Sequence, residues 1–364
     1  MAWLTRLVPG YAPNGGHILS VLAKKTYAIS PQQECREDLG SPLNFLDADL
    51  FWGAGDPARD AVREESDLVA FKPCVDVIVV GSAWAPRGKK GRFFDAGFEI
   101  GPHQRLLRVF GNRGIQPRLL GFEFTDPEPF ESMPLHYGLA YGGRDELSRP
   151  GCVLTYPRNP VGRGYAMTKA AFSGLRLPNL EDLDHLLTPE TLLVGKDLGW
   201  EAMPLPQTLG PMGRNCHPRL DLAGLPMDVR TAQEIERQQL LASMPEVGTG
   251  GVEPPPPSLM LNPLFYNGAP PEQRFPSLSG SEIVRLRHLD RDFPLFEFFL
   301  PGEVPTLWLD ADDQGPEELS PVLQTVVIHK ETNQLTLVWR GSAYYGGPLV
   351  MAQWSALRFG VEGG

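Results

Sequence analysis

The side chains that could support catalysis or metal binding are widely spaced along the chain. No serine lies in a GxSxG motif, which exposes a nucleophile on a sharp turn. The cysteines show no CxxC spacing, and the histidines show neither HxxxH nor HxxEH spacing. We therefore predict no catalytic set, no metal site and no cofactor. The residues concerned are Cys35, Cys74, Cys152, Cys216, His17, His103, His136, His185, His217, His288 and His329.

An acidic stretch at 310–315 has some features of a calcium-binding loop. With Asp310 as the first ligand, Gly315 falls at the sixth position, where an EF-hand loop requires glycine. The twelfth position is Pro321, which cannot supply the closing bidentate carboxylate. We interpret the stretch as a solvated strand end.

Residues 265–274, FYNGAPPEQR, have a composition that suits binding to another protein. Proline and aromatic side chains lose little conformational freedom on binding, so they present apolar area at low entropic cost. In the alternative interpretation, Phe265 and Tyr266 enter the core and Arg274 ties the loop to its own sheet. The candidate partner-binding residues are Phe265, Tyr266, Pro270, Pro271 and Arg274.

The elements that must position these residues are predicted to be mainly β-strands. The 39 glycines and 37 prolines among 364 residues favour turns and short elements over long helices. Two hairpins are predicted, 92–100 with 104–110 and 325–329 with 335–339. Further strand candidates are 17–29, 75–80, 281–289, 294–300 and 305–310.

The middle of the chain is predicted to be irregular. Proline and glycine interrupt 155–164 and 200–219 too often for long elements. One helix is expected at 231–243, because Thr231 and Glu234 form a capping-box pattern. The Gly- and Pro-rich segment 248–258 ends it and is interpreted as an exposed connector.

These patterns predict one domain over 1–364 with a mainly β fold. We expect a sandwich or a distorted barrel of antiparallel strands, with long Pro/Gly-rich loops and one or two peripheral helices. Within it, 17–150 form a first β lobe, 151–258 the irregular loop and helix region, and 259–345 a second β lobe.

Charge and the N-terminal sequence limit the partners and the compartment. The formal net charge of −11 opposes binding to nucleic acid or to an anionic membrane. Residues 1–16 contain no apolar run of signal-peptide length, and the widely spaced cysteines suit a reducing compartment. The chain is therefore expected to be cytoplasmic.

An ordered series of short segments resembles the domain-of-unknown-function family 2169, which is associated with bacterial type VI secretion. Each segment is weak alone, but together and in order they cover most of residues 17–343. Tyr137 departs from the tryptophan expected after MPL, and 231–258 is longer than usual. The segments are DLVAFKPCVDVIVVGSAWAP (67–86), LRVFGNR (107–113), MPLHYGLAYGG (133–143), NPVGRG (159–164), PNLED (178–182), FYNGAPPEQR (265–274), FEFFLPG (296–302), TLWLDAD (306–312) and LVWRG (337–341).

The resemblance implies a cytoplasmic adaptor or chaperone without enzymatic activity. Such a protein would bind a type VI effector and help to load it onto the spike of VgrG and PAAR proteins. Two alternatives remain open. One is a hydrolase in which Asp310 or Asp312 acts with Glu282 across a cleft. The other is a structural component of the secretion particle itself.

Overall fold

The computed structural model describes residues 3–86, 89–193, 198–223, 262–310, 315–345 and 357–362. Strands are the main regular structure of these residues, which contain no helix of seven or more residues; this confirms the predicted mainly β fold. None of their helices is long and apolar enough to cross a membrane. The predicted helix 231–243 and the connector 248–258 lie outside the described residues.

The strands and helical turns are short and closely spaced, as the glycine and proline content requires. The strands are β1 (Leu4–Tyr11), β2 (His17–Ala28), β3 (Gln33–Glu34), β4 (Arg36–Glu37), β5 (Leu50–Trp52), β6 (Ala61–Glu64), β7 (Val75–Val80), β8 (Ser82–Trp84), β9 (Phe93–Ile100), β10 (His103–Phe110), β11 (Ile115–Arg118), β12 (Gly121–Phe124), β13 (Ser132–Pro134), β14 (Tyr141–Gly142), β15 (Arg144–Asp145), β16 (Leu154–Thr155), β17 (Arg163–Gly164), β18 (Leu180–Asp182), β19 (Arg274–Phe275), β20 (Ile283–Arg287), β21 (Leu295–Phe299), β22 (Thr306–Asp310), β23 (Glu317–Leu319), β24 (Val322–His329), β25 (Gln334–Tyr344) and β26 (Arg358–Glu362). The 3-10 turns are η1 (Tyr137–Leu139), η2 (Lys169–Phe172), η3 (Thr191–Leu193), η4 (Trp200–Ala202), η5 (Leu220–Ala223), η6 (Pro263–Tyr266) and η7 (Pro271–Gln273).

The larger sheet, sheet A, has the strand order β1-β2-β25-β24-β7-β19, and β4 also pairs with β2. β2 and β25 are antiparallel from Ile18 opposite Tyr344 to Ala28 opposite Gln334. β24 and β25 form the predicted hairpin. β24 and β7 run parallel, in contrast to the antiparallel pairing expected throughout.

The second sheet, sheet B, has the order β18-β10-β9-β20-β21-β3. β9 and β10 form the other predicted hairpin, with Ile100 opposite His103. Gly101 has a φ of +53° in the intervening turn, a conformation that glycine adopts without steric cost. β20 and β21 extend the sheet, from Ile283 opposite Phe299 to Arg287 opposite Leu295.

The two sheets share one hydrophobic core. Val77 and Val79 of β7 enter it from sheet A, and Phe94 and Phe98 of β9 enter it from sheet B. In each strand the core residues alternate, as the period of two requires. The packing is therefore sheet on sheet, and no sheet of the described residues closes into a barrel.

Sheet A is also covered on its other face. Phe45 and Leu68, which precede β7, pack against Leu22 of β2 and Val338 of β25. Ile78 and Val80 of β7 pack on this face with Ala269 and Val327, and all six residues of β7 are buried. Val75, Val77 and Val79 therefore face the core shared with sheet B, and the opposite face of the strand is buried as well.

The irregular middle region has a core of its own. It is built around Tyr141, Tyr156 and Tyr165, whose rings lie 5.1 and 5.4 Å apart in succession. The hairpin of β11 and β12 packs on it through Phe122, whose ring meets Phe172 edge to face at 5.0 Å. Segments without long elements are therefore still fixed by packing.

A buried ion pair between Glu65 and Arg219 joins three separate segments. The Arg219 guanidinium binds both carboxylate oxygens of Glu65, and it donates to the Phe265 and Met212 carbonyls at 2.6 Å each. Burial alone would raise the pKa of Glu65, but the Arg219 and Arg214 guanidinium groups lower it below its usual range. Glu65 therefore stays charged, and its charge is matched inside the protein.

Arg219→Met should lower the free energy of unfolding by about 3–5 kcal/mol, because it leaves the Glu65 carboxylate buried without its partner. The double variant Glu65→Leu/Arg219→Met should lose less than Arg219→Met alone, since no charge is stranded. Urea unfolding followed by circular dichroism measures both. A double variant less stable than the single one would show that the pair is not the stabilising element.

Candidate partner-binding site

The predicted recognition segment 265–274 is largely inside the protein. Phe265 lies in η6 and is buried, and Tyr266 is half-buried with its ring edge to face against Phe265 at 5.7 Å. Pro270 is also buried, whereas Pro271 is exposed at the start of η7. Of the apolar candidates in this segment, Pro271 is the one that faces solvent.

Hydrogen bonds fix this segment to β7 of sheet A. The Asn267 side-chain amide donates to Asp76 Oδ1 and to the Cys74 carbonyl, each at 2.8 Å, and Gly268 N donates to Asp76 Oδ2 at 2.9 Å. Arg274 Nε donates to the Ala269 carbonyl at 2.7 Å, within the segment itself. These contacts agree with the alternative interpretation, in which the segment belongs to the core. Its role in partner binding stays a prediction.

Glu282, one of the carboxylates considered for a hydrolase, is engaged by the backbone and side chain of its own turn. Glu282 accepts hydrogen bonds from Ser279 N at 2.6 Å, Ser279 Oγ at 2.9 Å and Gly280 N at 3.0 Å. Burial alone would raise the pKa of Glu282, but these hydrogen bonds lower it. A general acid requires a raised pKa. Asp312 lies outside the described residues, which contain no group of three potential metal ligands.

An open groove of about 360 Å³ lies where β8 and the turn between β20 and β21 meet. Two aromatic side chains and two cations contribute to its wall, together with two carboxylates. Sequence reasoning did not select this site, because its walls come from distant segments. The lining residues are Trp84, Ala85, Lys89, Glu131, Arg291, Asp292 and Phe293.

Backbone pairing holds the first wall of the groove. β8 pairs with β13, so that Trp84 lies opposite Ser132, and Ala85 N donates to the Glu131 carbonyl at 2.8 Å. Trp84 N donates to the His288 carbonyl, also at 2.8 Å, which links this wall to the second one. The indole is therefore carried on rigid backbone.

A buried ion pair holds the second wall. Asp290 Oδ1 accepts hydrogen bonds from the backbone N–H of Asp292 at 2.8 Å and of Phe293 at 2.9 Å, which shapes the turn. Its other oxygen binds Lys330 Nζ at 2.5 Å. Lys330 Nζ also lies 4.0 Å from the centre of the Phe296 ring. The turn is thus anchored to the end of β24.

The groove combines aromatic rings with an arginine, Arg291, whose ion pair is exposed. The Arg291 guanidinium lies 5.8 Å from the Trp84 ring centre and 3.7 Å from Glu131. The Arg291 side chain is 70% exposed, so its ion pair with Glu131 contributes little and can be replaced by a partner's carboxylate. Phe293 is partly exposed beside it. Trp and Arg are enriched among residues that dominate binding energy at protein interfaces.

A second cavity, of about 230 Å³, lies on the outer face of sheet A, beside His329. His329 Nε2 is 3.2 Å from Thr336 Oγ1, and Nδ1 is 3.7 Å from Glu64 Oε2. Burial, with Lys24 and Arg63 nearby, lowers the pKa of His329 to about 3, and burial raises the pKa of Glu64. A neutral imidazole of such low basicity is poorly suited to act as a general base near neutral pH.

Comparison with known proteins places the chain in a family. A family model described as an uncharacterized protein conserved in bacteria (DUF2169) matches residues 14–340. The chain belongs to this family. Neither the curated proteins nor the solved structures give a match. The resemblance found in the sequence is therefore confirmed at the level of the family.

Phe265→Ala should lower the free energy of unfolding by about 3–5 kcal/mol, because it removes a buried aromatic ring and leaves a cavity. Pro271→Ala, in the same segment but exposed, should leave the unfolding midpoint nearly unchanged. Chemical denaturation of both variants measures the difference. A Phe265→Ala protein as stable as the wild type would contradict the core position of this ring.

The low pKa of His329 should make the protein less stable in mild acid. The unfolded chain takes up a proton near pH 6.5, whereas folded His329 does so only near pH 3. The unfolding free energy should therefore fall by about 1 kcal/mol between pH ~7.5 and pH ~5.5 through this residue.

His329→Gln tests that contribution, with His185→Gln as the control because His185 is exposed. Denaturation curves at the two pH values should show a smaller loss in His329→Gln than in the wild type. The His185→Gln protein should follow the wild type. An unchanged pH dependence in His329→Gln would refute the assignment.

Proposed function

We propose that this protein is a non-enzymatic adaptor or chaperone that binds a type VI secretion effector in the bacterial cytoplasm. It would aid loading of that effector onto the spike formed by VgrG and PAAR proteins. The observation that carries the proposal is the groove between Trp84 and Phe293. An aromatic surface with an exchangeable arginine, held on a rigid frame, suits protein recognition.

The size of the groove favours recognition of a short segment. A volume of about 360 Å³ accommodates a few side chains and not the surface of a whole domain. The lining holds two cations and two carboxylates, but the exposed ion pair between Arg291 and Glu131 is weak enough for a partner's carboxylate to replace. The preferred ligand is therefore an extended effector segment, such as its N-terminal region, that carries apolar side chains and a carboxylate.

The secretion context is supported by the sequence segments that resemble the family. The hydrolase alternative has less support, because Glu282 is engaged in shaping its own turn and has a lowered pKa. A role as a structural part of the secretion particle would require the protein to leave the cell with it. An adaptor should remain in the producing cell.

Binding to the effector encoded beside this protein's gene tests the proposal, with isothermal titration as the measurement. Arg291→Glu should weaken binding at least about tenfold, because it removes the cation and repels a carboxylate. Arg59→Glu is the matched control, since Arg59 is similarly exposed and also lies 3.7 Å from a carboxylate, that of Asp56. Both variants should melt at the wild-type temperature.

Two different failures can be told apart. If the folded wild-type chain retains neither the effector nor a VgrG or PAAR protein, the adaptor function is refuted. If the wild type binds and Arg291→Glu binds equally well, the groove is excluded and the adaptor function stands.

A further inference from the structure

The cavity beside His329, on the outer face of sheet A, combines a polar end with an apolar wall. Its volume of about 230 Å³ is several times the ~30 Å³ that one water molecule occupies in the liquid, so a small organic ligand fits in it. The polar end lies between the β5–β6 hairpin and the turn that joins β24 to β25. The apolar wall is formed by Leu43, Phe45, Leu46, Leu50 and Val80.

Hydrogen bonds and strand pairing fix the walls of this cavity. Leu43 N donates to Thr26 Oγ1 of β2 at 2.9 Å, which holds the loop over the sheet. Leu50 lies opposite Glu64 in the pairing of β5 with β6. The cavity is therefore formed before any ligand binds, which lowers the entropic cost of binding.

The Glu64 carboxylate lies at the polar end of the cavity and lacks a close partner. Its side chain is 15% exposed, and Arg63 Nε at 3.8 Å and His329 Nδ1 at 3.7 Å are both beyond hydrogen-bond length. Within the described part of the chain, no hydrogen bond reaches this carboxylate. Burial raises the pKa of Glu64, because the charged form has lost part of its hydration. A ligand that is a cation and a hydrogen-bond donor would replace that hydration.

The charges around the cavity favour a cation over an anion. Glu331 is a second carboxylate on the lining, and Arg63 lies 3.8 Å from it and 3.8 Å from Glu64. Lys24, the other cation of the lining, is already paired with Asp67 at 2.6 Å. An anionic ligand would meet two carboxylates, whereas a cationic ligand would be attracted by both.

We propose that this cavity binds the ammonium group of a small aliphatic amine. The nitrogen would donate to Glu64 and to Nδ1 of His329, whose separation of 3.7 Å lets one nitrogen reach both. Nδ1 can accept a hydrogen bond because Nε2 can keep the proton and donate it to Thr336 Oγ1 at 3.2 Å. The alkyl chain would lie against Leu46 and Val80.

Binding of n-butylammonium to the full chain at pH ~7 tests the proposal, with saturation-transfer difference NMR as the measurement. We expect saturable binding with a dissociation constant on the order of 1 mM, because so small a ligand makes few contacts. Butyrate, an anion of similar length, should bind at least about tenfold more weakly. Absence of saturable n-butylammonium binding, or equal binding of butyrate, would overturn the inference.

Glu64→Gln keeps the shape of the side chain and removes its charge, so it should weaken n-butylammonium binding at least about tenfold. Glu123→Gln is the matched control, because Glu123 is a partly exposed glutamate on β12 that does not line the cavity. Unchanged affinity in a Glu64→Gln protein that melts like the wild type would also overturn the inference. If Glu64→Gln fails to fold, the comparison of n-butylammonium with butyrate on the wild type decides.

Nα-Acetyl-lysine N-methylamide separates the two sources of such a group. If it binds as tightly as n-butylammonium, the site accepts a lysine side chain of a polypeptide. If it binds at least about tenfold more weakly, the site takes a free amine, and both results support the ammonium site. The adaptor function is tested separately, because effector binding can fail while n-butylammonium binds, and the reverse.

Discussion

The guanidinium of Arg219 is the point on which distant parts of the chain converge. It binds Glu65, which precedes β7, and the carbonyls of Met212 and Phe265 on two other segments. A buried cation without a partner costs far more than its pair contributes, so these segments have few alternative positions in which the charge is satisfied. Apolar packing alone would not impose this register, because it is not directional.

Buried polar side chains also link the sequence segments that resemble the family. Asn179 donates to the Phe110 carbonyl at 3.0 Å, and its own Oδ1 accepts from Arg163 at 2.9 Å. Asn159 donates to the Tyr137 and Tyr141 carbonyls at 2.8 and 3.0 Å. Those segments therefore act mainly as internal connections that define the fold, since their polar side chains satisfy buried backbone groups.

Surfaces that suit recognition lie partly outside those segments. Trp84 belongs to one of them, but Arg291 and Phe293 do not. Such a division would suit the proposed adaptor function, because side chains on turns can change without disturbing buried polar contacts. The walls of the groove are held by strand pairing and by the Asp290–Lys330 ion pair, which lowers the entropic cost of binding.

The sequence by itself determined several of the longer strands and two of the hairpins, because runs of apolar and β-branched residues and the turns between them act over a few neighbours. Both predicted hairpins follow from such local patterns. Only the tertiary structure decided that Phe265 is buried, since its ring lies 5.5 Å from the guanidinium of Arg219, which is distant in the chain. The tertiary structure also formed the groove. A backbone hydrogen bond from Trp84 to His288 holds one wall, and the buried Asp290–Lys330 ion pair holds the turn that carries Phe293. Contacts of this kind depend on side chains that are far apart in the chain, and no spacing along the sequence encodes them.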